Sequence, residues 1–347
     1  MRQLFLHIGD CKTGSTVIQS MLAQGHCTPQ GLRLFYPARS AHGLLARSLG
    51  ERTDQYPERW QVKARKLAEN EWDVAVLSTE LFEFVQPQKV ARALRENLPE
   101  HADTVKVIVY VRPHGARVLS QFGENLKLGH DTGDMAQFVD RFLAAGRLQY
   151  TDRLAAWKAQ FGARLIVRVF QRDHLVAGDV RRDFLAQVLG DVPYSLAGGQ
   201  DDNAALGLGD LALMRLLQRR FAKAGNIDLE TRVAFGKYFG RLLHKRKPAR
   251  TVERMRLHRE IYDRLAAACM ADAQNMDATW VGSPCFVPAL ERAGAEVVQQ
   301  PQSLRARDYH SRETLRLFQV WGDLIVAQMR DPPDAFLRRL RANQPNP

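Results

Sequence analysis

The chain has 347 residues, 45% of them hydrophobic, with 50 lysines and arginines against 38 acids and a formal net charge of +12 at pH 7. That apolar content supports a sizeable core, and no apolar stretch approaches the roughly 20 residues a membrane-spanning helix needs. The four cysteines, Cys11, Cys27, Cys269 and Cys285, have no C-x-x-C spacing and are too few for a disulfide scaffold, so free thiols are expected. Met1-Arg2-Gln3 leads straight into a strand pattern rather than a signal-peptide core, and a cytoplasmic protein is expected.

The first strand reads at Gln3–Ile8, and a helical pattern begins at Val17. Between them lie Gly9, Lys12 and Gly14, a strand, glycine-containing loop and helix of the kind that wraps backbone N–H groups around a phosphate. It is not a Walker A loop, because Gly14 is followed by Ser15 and the lysine sits inside at Lys12. Cys11 in this loop reads as a small filler, since no histidine or second cysteine is spaced to pair with it.

Ser40–Glu71 reads as helix-rich and is expected to cover an acceptor side. A second strand follows at Val74–Ser78 and a third at Thr104–Val111, the latter running into Arg112-Pro113 and then a helix from His114. Arg112 at a strand end and Ser120 on the helix are expected to face the crevice where open α/β sheets bind ligands. A fourth strand is read at Leu165–Phe170, with helices at Asp179–Gly190, Asp210–Lys223 and Ser311–Met329. Gly198–Asn203 is expected as a loop, and Asp331-Pro332-Pro333 as a break before a polar tail. The alternation predicts α/β class: a P-loop-like parallel sheet flanked by helices, with residues 1–285 as the main domain and 286–347 as a helical C-terminal elaboration and tail.

The basic excess concentrates between Lys237 and Arg259, with Glu253 as the only acid there. A solvated helical face accounts for such a run; the functional alternatives are an acidic acceptor, an anionic membrane surface or another polyanion. Sparse aromatics argue against nucleic acid as the partner. The histidines show no metal-ligand spacing, and no protein-bound metal is expected.

At two segments the sequence resembles the PAPS-dependent sulfotransferases, which take a sulfuryl group from 3′-phosphoadenosine 5′-phosphosulfate. Lys12-Thr13-Gly14-Ser15-Thr16 is similar to that family's 5′-phosphosulfate loop, and Arg112 with Ser120 eight positions on to its 3′-phosphate site. A looser likeness runs through Tyr150–Trp157 and Leu165–Phe170, looks most like the bacterial, carbohydrate-type branch, and ends at about Gly282. The resemblance implies PAPS as co-substrate with PAP as product, no metal, and in-line transfer to a hydroxyl or amine of a carbohydrate or glycolipid, with Lys12 beside the bridging oxygen.

A base must then take the acceptor's proton. Glu80 in Ser78-Thr79-Glu80-Leu81-Phe82 is the first candidate, because the second strand ends there and the resembling carbohydrate enzymes use a glutamate. A glutamate capping the next helix is the bland alternative, and His114 is the competing base. Arg117, Asn125 and Lys127 read either as acceptor-orienting groups or as exposed polar positions of a helix. The rival classes are a P-loop kinase or hydrolase, which lacks its lysine and its strand-end Asp here, and a non-catalytic polyanion-binding module using Lys237–Arg259.

Overall fold

The computed structural model describes residues 2–50, 56–198, 205–246 and 252–330, together with 335, 336 and 338. In chain order the elements are β1 (Gln3–His7), α1 (Ser15–Ala23), β2 (Cys27–Pro29), β3 (Leu34–Phe35), α2 (Gly43–Gly50), α3 (Tyr56–Glu69), β4 (Val74–Ser78), α4 (Pro87–Asn97), α5 (Pro99–Ala102), β5 (Lys106–Val111), α6 (His114–Leu128), α7 (Met135–Ala144) and α8 (Tyr150–Phe161). They continue as β6 (Leu165–Val169), α9 (Val180–Leu189), β7 (Tyr194–Leu196), α10 (Leu208–Lys223), α11 (Leu229–Lys245), α12 (Arg259–Asn275), α13 (Phe286–Ala295) and α14 (Arg312–Arg330).

Five strands form one parallel sheet in the order β3-β4-β1-β5-β6, with β1 central. Side chains alternate across a strand, so each run of apolar residues feeds two cores. Leu4, Leu6, Leu77, Val107, Val109 and Val111 pack on one face among α4, α6, α8 and α12. Phe5, Val74, Val76, Ile108 and Tyr110 face the other side, against Ile18 and Met21 of α1 and Phe184 and Leu185 of α9. This two-sided burial is why strands β1, β4 and β5 read as near-continuous hydrophobic segments.

The four longest strands stand where the sequence places them, within two residues at each end, and helices fill the connections between them. The short edge strand β3 and the antiparallel pair β2–β7 were not anticipated, because two or three residues carry no periodicity. Phe286 and Leu290 of α13 join the main core, so its packing continues past position 285. The basic run does not form one helical face: its start ends α11, residues 252–258 are non-helical and Arg259 opens α12. Lys247 and Arg250 of that run, residues 199–203 of the expected loop and 331–333 of the expected break lie outside the described residues.

Helix α1 after β1 covers one face, whereas α6 after the neighbouring β5 covers the other. Adjacent strands whose connections leave to opposite faces open a crevice at their carboxyl ends, the place where open α/β sheets take ligands. The loop 8–14 and Arg112 both lie at that crevice.

Candidate functional site

The loop between β1 and α1 is half anchored and half open. Its first N–H groups are used: Ile8 donates to Ile108 O at 2.9 Å, Asp10 to Tyr110 O at 2.7 Å and Cys11 to Glu83 Oε2 at 2.9 Å. The N–H groups of Lys12, Thr13, Gly14, Ser15 and Thr16 have no protein acceptor among the described residues. Gly14 is the N-cap of α1 at φ +80° and brings no capping side chain, so these donors converge at an open helix N-terminus, an arrangement suited to an anion.

Two glycines are required by packing. A Cβ on Gly9, at φ +96°, would lie 2.8 Å from Glu80 Cα, and one on Gly14 would lie 2.8 Å from Phe170 Cε2. Lys12 itself holds a left-handed φ of +64°. That conformation costs a non-glycine residue on the order of 1 kcal/mol and persists only where the surroundings impose it.

The surroundings are two buried ion pairs beneath the loop. Arg153 of α8 donates to both Asp10 carboxylate oxygens at 2.5 and 2.6 Å. Arg117 of α6 donates to both Glu83 oxygens at 2.9 and 3.0 Å, while Glu83 also accepts the Cys11 N–H. Burial alone would raise the Glu83 carboxyl, but Arg117, Arg153 and the Cys11 N–H overcome it and hold it below the ordinary carboxylate range. Burial, reinforced by Glu83, pushes the Cys11 thiol well above its usual value, which suits a filler rather than a nucleophile. All four cysteines are free.

Arg112, at the end of β5, donates through Nη1 to the main-chain carbonyl of Lys12 at 3.1 Å and lies 5.5 Å from the Phe170 ring centroid. Tyr150 OH donates to Arg112 O at 2.8 Å, fixing the strand end from α8. The Lys12 ammonium reaches Glu124 Oε2 at 3.1 Å, and Lys127 Nζ reaches the same oxygen at 2.6 Å. Burial lowers the Lys12 pKa against the pull of Glu124, and Lys127 and Arg112 lower it further. Ser120 lies one turn before Glu124 on α6 and is partly exposed.

Glu80 opens a 3-10 segment, Glu80–Phe84, directly after β4. Its cap is Thr79, whose Oγ1 accepts the Leu81 N–H at 3.2 Å, so the capping role foreseen for Glu80 belongs to its neighbour. Glu80 Oε2 accepts from Gln19 Nε2 of α1 at 2.9 Å, and its backbone abuts Gly9. Glu80 thus shares the β1–β4 end of the crevice with the open loop.

His114 is placed differently. It is 1% exposed, its Nε2 lies 2.9 Å from Asp272 Oδ2, and its ring stacks on Tyr150 at 4.9 Å. Arg117 is likewise 1% exposed, which corrects its reading as an acceptor-orienting or surface position: a buried guanidinium persists because Glu83 neutralises it. Lys127 is committed to Glu124, whereas Asn125 lines a cavity of about 230 Å³ with His130, Phe142 and Arg147. Arg147 stacks 4.3 Å over Phe84 of the Glu80 segment.

Asp10, Gln19, Glu83, Glu124 and Arg153 were not singled out from the sequence. Apart from Lys127, three positions from Glu124, their partners are 34 to 143 positions away, so no local spacing signals them. The one cue was a string of charged residues beside the loop and on α6 and α8, too common to read alone.

No family model matches the chain. No curated protein matches it either. Among solved structures, the chain is similar to a sulfotransferase from Alicyclobacillus acidocaldarius, with a TM-score of 0.45 and 13% identity, covering 84% of this chain and 100% of that one. No helix among the described residues is long and apolar enough to cross a membrane.

Proposed function

We propose that the protein is a PAPS-dependent sulfotransferase. The Arg112 Nη1 bond to Lys12 O at 3.1 Å carries this reading, because it joins a strand-end arginine to a loop whose five following N–H groups are open. In this reading Thr13, Gly14, Ser15 and Thr16 hold the 5′-phosphosulfate through main-chain N–H groups, and Arg112 and Ser120 take the 3′-phosphate. Lys12 meets charge growing on the bridging oxygen, and Glu80 removes the acceptor proton. We assign the base to Glu80 rather than His114 because the His114 imidazole is enclosed by Tyr150, Phe286 and Asp272.

The acceptor we favour is a carbohydrate or glycolipid hydroxyl or amine. The cavity of Asn125, His130 and Arg147, beside the Glu80 segment, offers hydrogen-bond donors and the Phe138 and Phe142 rings, the mixture a sugar engages. The dispersed basic residues of 237–246 and 252–259 suit an anionic membrane surface or polyanionic acceptor, and a cytoplasmic enzyme peripheral to the inner face of the membrane would use them so.

Calorimetric melting of the full chain with PAP, ATP and ADP, each with and without magnesium, tests the donor class. PAP should raise Tm, and magnesium–ATP much less, since a ligand stabilises the state it binds. Equal or greater stabilisation by magnesium–ATP would establish the kinase or hydrolase reading instead.

A further inference from the structure

A second cavity, of about 400 Å³, opens between α10, the turn Ala306–Asp308 and α14, none of which carries a residue of the crevice. Four arginines line it, Arg215, Arg219, Arg305 and Arg307, and no acid does. Its remaining lining is mainly apolar, including Leu216, Leu304 and Leu315.

Two of these cations are held there by construction, whereas Arg305 and Arg307 reach in from exposed positions. Arg215 donates to Thr132 O at 2.8 Å, Gly133 O at 3.0 Å and Leu304 O at 3.2 Å, so its guanidinium cannot swing away. Arg219 donates to the same Thr132 carbonyl at 3.1 Å. Burial, then Arg219, drags the Arg215 pKa down, with Asp134 and Asp131 opposing and Arg305 adding to the fall. Arg307 Nε lies 3.8 Å from Asp308 Oδ1, and Asp308 is itself bonded by Ser303. Like charges gathered against an apolar floor repel, and a bound anion removes the repulsion. Guanidinium forks match the oxygens of a phosphate or sulfate, and the leucines beside them match a hydrocarbon stem.

We propose that this cavity is a second anion site, independent of the donor crevice, which takes a phosphate or sulfate monoester carried on an apolar stem. The headgroup of phosphatidic acid and a soluble monoester share that chemistry. Titration calorimetry of the full chain with hexyl phosphate and with inorganic phosphate tests it. Hexyl phosphate should bind saturably at a site sensitive to the four arginines, and there about tenfold tighter than inorganic phosphate, because only the former covers the leucines.

The paired change Arg305→Gln and Arg307→Gln, both at exposed positions, should weaken hexyl phosphate about tenfold or more at unchanged Tm. Leu216→Asn should weaken hexyl phosphate but not inorganic phosphate, and Lys12→Ala should leave the tighter hexyl phosphate site in place. Absence of saturable binding at millimolar hexyl phosphate overturns the site, as does binding abolished by Lys12→Ala and indifferent to the arginines. Co-sedimentation with vesicles containing phosphatidic acid, whose headgroup is a phosphate monoester, separates the two sources. Vesicle binding lost in the paired arginine variant makes the ligand a lipid headgroup, whereas hexyl phosphate binding without vesicle binding makes it a soluble monoester; either upholds the site.

Discussion

The Lys12 ammonium lies 3.1 Å from Glu124 Oε2, an oxygen it shares with Lys127 at 2.6 Å. Despite burial, these two lysines pull the Glu124 carboxyl down to about 2, so it is ionised throughout the neutral range. Its folded pKa is depressed from 4.5, and its contribution to stability is therefore complete above that value and lost as pH falls toward about 2. The effect on Lys12 runs the other way: burial lowers the ammonium's pKa and Glu124 is the neighbour that raises it.

Glu124→Gln should therefore leave turnover at pH 7 largely intact while moving the alkaline limb of kcat/KM to lower pH, by about 1 unit or more. Lys12→Ala should abolish that limb and lower kcat as well as donor affinity, because the charge it meets grows toward the transition state. A limb that stays put in Glu124→Gln would remove Lys12 from the titration, and normal kcat in Lys12→Ala would leave it a mere anchor.

Beneath the loop, Arg117→Gln strands the Glu83 carboxylate in the core. Removing one partner of a buried pair costs about 3–5 kcal/mol, and the loss should show as a lower midpoint of urea denaturation. Pairing it with Glu83→Gln should recover part of that stability, since no unpaired charge then remains. If the single change cost less than about 1 kcal/mol, the pair would not be what imposes the left-handed Lys12 conformation.

Much of this arrangement was legible in the sequence because it is local. The strand, loop and helix around Lys12 follow from contiguous residues, and the parallel sheet follows from apolar runs that fill two cores. Gly9 and Gly14 stood out as loop glycines, although the contacts that require them, Glu80 and Phe170, are far along the chain. What stayed hidden is tertiary. Arg117 on α6 has the spacing of a surface position, and only Glu83, 34 residues earlier, makes its burial tolerable. His114 beside Arg112 looks like a candidate base until Asp272, 158 residues later, is seen to hold it.

Ser120→Ala offers the cleaner test of the 3′-phosphate assignment, because Arg112 also braces the Lys12 carbonyl. Each of Arg112→Ala and Ser120→Ala should weaken PAP by roughly 1.5–3 kcal/mol, the range for hydrogen bonds to a charged group. For adenosine 5′-phosphate, which lacks the 3′-phosphate, the Ser120→Ala loss should vanish and part of the Arg112→Ala loss should remain. Equal losses of both nucleotides in Ser120→Ala would separate Ser120 from that phosphate.

Glu80→Gln distinguishes a base from a structural carboxylate. The amide keeps an oxygen for the Gln19 Nε2 bond, and Thr79 remains as the cap, so Tm and PAP affinity should stay near those of the unaltered protein. Loss of the proton acceptor should lower kcat by roughly 10²–10⁴-fold. His114→Asn, run beside it, breaks the buried bond to Asp272 and should cost stability, leaving kcat within a few-fold once the folded fraction is counted. Should Glu80→Gln turn over normally while folded His114→Asn loses its rate, the proton would have to leave through His114, and the crevice would need to open between Tyr150 and Phe286 to let the acceptor reach it.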